Sequence, residues 1–107
     1  MLDSSTYEVT RWDLSDGSRR VWPVQGLASV SVQAALNSMS PNSWTQTINV
    51  GWSNRASGEG ATNLGTLTSG SPSLPDLNVS SAGYLVFELS ATNATQVFLD
   101  LWATGKA

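Results

Sequence analysis

The sequence predicts an all-β fold, an antiparallel β-sandwich of jelly-roll type with about seven to eight short strands. Three observations predict it. Apolar and polar residues alternate at period two in segment after segment, as half-buried strands require. Turn-forming groups of Gly, Pro, Asn, Asp and Ser recur about ten residues apart. No stretch has a convincing helical period; residues 32–38 are the one ambiguous run. At 107 residues the chain has room for one modest core. Within that single compact unit, the sequence marks residues 1–26 as an N-terminal hairpin arm and 27–107 as the sandwich proper.

The first strand is expected over 6–14, with Tyr7, Val9 and Arg11 on one side. Ser15-Asp16-Gly17-Ser18 reads as a hairpin turn, because Asp-Gly supplies positive φ angles. The chain returns through 19–24, where Pro23 lacks an N–H and so marks an edge or an end. Ala28, Val30, Val32, Ala34 and Leu36 form the apolar side of the next strand. A loop over 37–43 leads to a strand over 44–52, with Trp44, Ile48, Val50 and Trp52 inward. Residues 53–63 are Gly-rich and read as a mobile loop. A short strand over 64–68 follows, then a run over 74–79 that Pro72 and Pro75 make edge-like, crossing between sheets. The last third, 83–105, reads as the central pair: Leu85, Phe87 and Leu89 alternate, then Val97, Leu99 and Leu101, joined by a short polar connection, Ala91-Thr92-Asn93-Ala94.

Composition narrows the function. Charged residues are only 12% of the chain, about half the usual share, with Ser and Thr in the polar positions. With a net charge of −3 and five basic residues, no footprint exists for phosphates, so no nucleic-acid partner is expected. Without cysteine, disulfide and thiol chemistry are excluded. No apolar run approaches a membrane span, and the N-terminus lacks a signal-peptide pattern, so synthesis in the cytoplasm is expected. Histidine is absent, which removes the usual general base, the usual triad member and a preferred zinc ligand. No cofactor or metal is expected. Two carboxylate pairs remain: Asp13 with Asp16 beside a turn, and Glu88 with Asp100 on the outer faces of the last two strands. Acid–base chemistry on a glycoside would need such a pair; Asp16 is more simply the turn residue of Asp-Gly, and Glu88 and Asp100 are more simply solvated charges on strand faces. The chain reads as a non-enzyme.

Five tryptophans in so small a domain are the unusual feature. Trp44 and Trp52 are in phase with Ile48 and Val50, which points to the core. Trp102 is out of phase with Leu99 and Leu101, so it caps the outer sheet face or joins a subunit contact. Trp12 and Trp22 straddle the first hairpin beside Arg11, Arg19 and Arg20, and could pair across it. They either close one end of the sandwich or, with the arginines, form an interface of the Trp/Arg type common at hot spots. Candidate interface residues are therefore Trp12, Arg19, Arg20, Trp22 and Trp102. A second use for exposed tryptophans is stacking on sugar rings, for which Trp12, Trp22 and Trp102 would have to be coplanar.

From Ser29 onward, "ASVSVQAAL", "WTQTINVGWSN", "LGTLTSG" and "GYLVFELSATNATQVFLDLWATG" follow one another in an order that resembles small β-sandwich structural proteins of tailed bacteriophages. Ala61-Thr62-Asn63 stands where that group carries a tryptophan. The resemblance implies a virion protein, of the capsid decoration (cement), head-fibre or tail accessory kind. It implies a major capsid protein or another virion protein as partner, and a homo-oligomer, with a trimer favoured. The N-terminal Trp/Arg arm would then be the anchor.

Overall fold

Strand β8 (Phe98–Lys106) shows how side chains are sorted in this molecule. Leu99, Leu101 and Ala103 are buried, while Asp100 and Trp102 turn the other way. The computed structural model describes residues 4–16, 19–90 and 95–107. Among the described residues, eight strands form two four-stranded antiparallel sheets. The first sheet has the order β1 (Ser4–Asp13), β8, β3 (Ser29–Leu36), β6 (Ser73–Asn78). The second has the order β2 (Arg20–Pro23), β7 (Tyr84–Leu89), β4 (Ile48–Ser53), β5 (Thr62–Leu67). This order is a jelly roll, in which the chain passes repeatedly from one sheet to the other. The inner faces interdigitate in a core that includes Val30, Val32, Ile48, Val50, Phe87 and Leu101.

That wrapping corrects two expected hairpins. Strands β1 and β2 do not pair: β1 runs along β8 from Ser4↔Lys106 to Asp13↔Phe98, and β2 runs along β7. Residues 4–13 and 20–23 thus lie in opposite sheets and do not pair as the expected hairpin. A 3₁₀ turn (Leu14–Asp16) begins the passage between sheets, with Leu14 buried and its N–H bonded to the Val97 carbonyl at 2.9 Å. The expected Gly17-Ser18 turn residues lie outside the described residues. Strands β7 and β8 are likewise in opposite sheets, each flanked on both sides by other strands. Their connection, Ala91-Thr92-Asn93-Ala94, lies outside the described residues. Short linkers favour hairpins locally, but β8 is long enough to pair with β1 and β3 along nearly its whole length, and that decides the partners.

Local irregularities move side chains from their expected faces. Tyr7 and Val9 pack against the core as predicted, but Arg11 takes φ 56° and the register with β8 slips between Val9 and Trp12. This bulge reverses the alternation, so Arg11 is exposed and Trp12 turns inward. At the end of β3, Leu36 is 44% exposed, not buried as its phase suggests, and Asn37 is buried in its place. Trp44 and Gln46 precede β4 and are buried, continuing its alternation. Strand β6 is an edge strand, as Pro75 requires. The Gly-rich segment 54–61 is tethered: Ser53 Oγ donates to the Glu59 carbonyl at 2.8 Å, and Gly58, at φ 81°, is packed among Arg19, Val21 and Val86.

Candidate functional site

The predicted Trp/Arg cluster is part of the protein's own architecture. Trp12 is fully buried and Trp22 is 5% exposed, so neither ring presents a surface. Trp22 meets Tyr7, not Trp12: their rings stack at 5.5 Å and 15°. Tyr7 in turn stacks on Phe87 at 5.9 Å and 4°. Burial raises the Tyr7 hydroxyl above its ordinary pKa, and the Arg20 charge pulls the other way. The Arg20 guanidinium lies 5.7 Å from the Trp12 ring centroid, a cation–π contact at the sandwich edge. Arg19 faces the opposite way, outside the second sheet, where it meets Glu88 at 2.7 Å and donates to the Ser57 carbonyl at 3.0 Å. The burial of Trp12 and Trp22 corrects their reading as a surface anchor, and it also removes the coplanar three-tryptophan platform.

The carboxylates are separated. Glu88 is on the outer face of the second sheet, and Asp100 is on the outer face of the first. Asp100 Oδ1 accepts from the Arg11 N–H at 3.0 Å and from Asn37 Nδ2 at 2.8 Å, so it is committed to structure. Asp13 accepts from Ser15 Oγ at 2.7 Å and Ser15 N–H at 3.0 Å. Those bonds hold its carboxyl below the ordinary value. The Asp16 side chain lies outside the described set. Among the described residues, no group of three metal-ligating side chains comes together.

Three surface features remain, and the first was not legible in the sequence. Leu36 and Met39 are 44% and 64% exposed, the two most exposed of the large apolar side chains described. They flank a turn fixed by buried Asn37. Its Oδ1 accepts from the Met39 N–H at 2.8 Å, and its Nδ2 reaches Asp100. Its own N–H bonds the Phe98 carbonyl at 2.9 Å, and Ser40 Oγ accepts from the Phe98 N–H at 3.1 Å. Leu36 read as a core residue by phase alone, and nothing in its alternation signals that β3 ends there.

The second feature is Trp102, 38% exposed on the outer face of the first sheet, where the sequence placed it. It lies in register between Glu8 of β1 and Gln33 of β3. Its Nε1 donates to Gln33 Oε1 at 3.0 Å. Beside it runs a groove of about 360 Å³, walled by Leu74 and Pro75 of β6. A further hollow, of about 400 Å³, opens where Trp52 meets the Arg55–Glu59 pair at the end of β4.

No protein-family model matches the chain, and no curated protein matches it in sequence. Its fold is similar to several solved structures. The SPBc2 prophage-derived protein YomS superposes with a TM-score of 0.60 at 12% identity, over 97% of this chain and 96% of that one. PliG of Aeromonas hydrophila, a periplasmic inhibitor of g-type lysozyme, gives 0.61 at 14% identity, over 97% and 87%. The Drosophila NLP core, studied for pentamer formation and histone binding, gives 0.51 at 13% identity, over 97% of both chains. At these identities the likeness is one of fold. A prophage-encoded protein is among the chains that share it end to end.

Proposed function

We propose that this protein is a non-enzymatic structural component of a tailed-bacteriophage particle, a capsid decoration protein that binds the shell through the Leu36–Met39 turn. The observation that carries the reading is the exposure of Leu36 and Met39 on a turn fixed by Asn37. A rigid turn loses little entropy on docking, and methionine adapts its shape to an apolar pocket. The end-to-end fold shared with a prophage-derived protein supports the phage setting. The lack of histidine and cysteine, and the separation of Glu88 from Asp100 across the sandwich, support a binding role over catalysis. The partner is the major capsid protein or another virion protein, and the chain acts as a homo-oligomer, a trimer by preference. Its place of action is the virion.

Co-sedimentation tests this reading. The purified chain is expected to pellet with phage particles, and Met39→Asp to stay in the supernatant while its circular dichroism is unchanged. Equal pelleting of the two proteins would remove the turn as anchor. Light scattering across a concentration series is expected to give a trimer.

A further inference from the structure

We infer that the groove beside Trp102 is a binding site for a neutral saccharide, separate from the Leu36–Met39 anchor. The groove owes its shape to a fault in strand pairing. Val30 pairs with Leu77 and Val32 with Leu74, so Ser31 alone faces two residues, Pro75 and Asp76. Pro75 has no N–H for the ladder, and Asp76 takes φ 54°, with its N–H bonded to Ser31 Oγ at 3.2 Å. The edge strand bulges there, and bulges of this kind often re-aim side chains beside binding sites. The resulting space of about 360 Å³ is in the range of small-ligand sites.

Its lining suits one ligand chemistry. Trp102 lines the groove, and an indole ring, electron-rich at the centre of its face, is a surface on which the axial C–H groups of a pyranose pack. The bond from its Nε1 to Gln33 Oε1 fixes the ring and leaves the Gln33 Nε2 hydrogens with no protein acceptor among the described residues. Those hydrogens and the hydroxyls of Ser31 and Thr104 can exchange hydrogen bonds with sugar hydroxyls. Among the described residues, no charged side chain lines the groove, and Glu8 lies across the ladder from Trp102 on its other side. That field disfavours phosphate, sulfate and carboxylate groups, so the ligand is uncharged.

The test is a titration of the ¹⁵N-labelled chain with neutral saccharides (maltose, lactose, cellobiose and di-N-acetylchitobiose), with 6′-sialyllactose and a proline-rich peptide as comparisons. At least one neutral saccharide is expected to give saturable amide shifts centred on residues 31–33, 73–75 and 102–104. Trp102→Ala should weaken that binding about tenfold or more, as the loss of one ring that stacks on a nucleobase does. Trp102→Phe should retain part of it, Gln33→Leu should weaken it, and Met39→Asp should leave it unchanged. No saturable shift with any neutral saccharide would overturn the inference. So would stronger binding of the sialylated sugar, binding of the peptide alone, or undiminished binding by folded Trp102→Ala.

Discussion

The Arg20 guanidinium lies 5.7 Å from the centroid of the Trp12 ring, across the open edge between the two sheets. A residue pair with the composition of an interface hot spot is thereby used inside the fold. Trp12 Nε1 and Arg20 Nε are buried with no acceptor among the described residues, so the contact is held by packing and the cation–π attraction. Trp12→Ala is expected to cost about 3–5 kcal/mol, the range for deleting a buried large aromatic side chain. Trp102→Ala, on the outer face, should stay within about 1 kcal/mol. Urea unfolding of the two variants measures the contrast directly.

Two glycines are held by steric contact. A Cβ on Gly51 would lie 2.5 Å from the Thr62 carbonyl oxygen, which is backbone and has no room to yield. A Cβ on Gly105 would collide with Leu27 Cδ1, a side-chain end that can rotate away. Both alanine variants should be destabilised, Gly105→Ala by about 1–3 kcal/mol as an overpacked core site and Gly51→Ala by more. The order of their denaturant midpoints is the readout.

Arg19 links the 54–61 segment to the outside of β7. Its ion pair with Glu88 is between side chains 37% and 41% exposed, so solvent screens it. Arg19→Ala should therefore lower global stability by less than about 1 kcal/mol. Its larger effect is local: the Gly58 amide, bonded to the Arg55 carbonyl at 2.9 Å, should exchange with deuterium faster.

Stability should fall at both extremes of pH. Hydrogen bonds, chiefly from the Ser15 side chain, lower the Asp13 pKa below 3.8. A depressed folded-state pKa stabilises the fold fully above the unfolded value, and that contribution disappears as pH falls through the folded one. Thermal unfolding from neutral pH downward should show a loss below 3.8 that Asp13→Asn reduces. Tyr7 has the opposite sign: its raised pKa gives a contribution present below 10.0 and lost as pH rises further, which Tyr7→Phe should abolish.

The sequence declares its strands through alternation, and Leu85, Phe87, Leu89, Val97, Leu99 and Leu101 are all buried as their phase requires. Partner choice is less visible. A jelly roll sends β1 and β2, and again β7 and β8, to opposite sheets, while short linkers argue locally for hairpins. Nor does alternation reveal its own interruptions. One positive φ at Arg11 converts Trp12 from a surface residue into a core residue, and the end of β3 leaves Leu36 outside. Trp102 was legible because β8 has no such break between Phe98 and Lys106. The Met39 turn was not, since it depends on Asn37, Phe98 and Asp100, which meet only in the folded chain.

Mass spectrometry of gradient-purified phage particles, induced or propagated in cells that carry the gene for this chain, tests the proposed virion role most directly. A virion structural role predicts the chain in the particle fraction in many copies, with Met39→Asp shifting it to the unassembled protein at the top of the gradient. Particles that are complete and infectious without the chain, with all of it free in the lysate, would contradict the account.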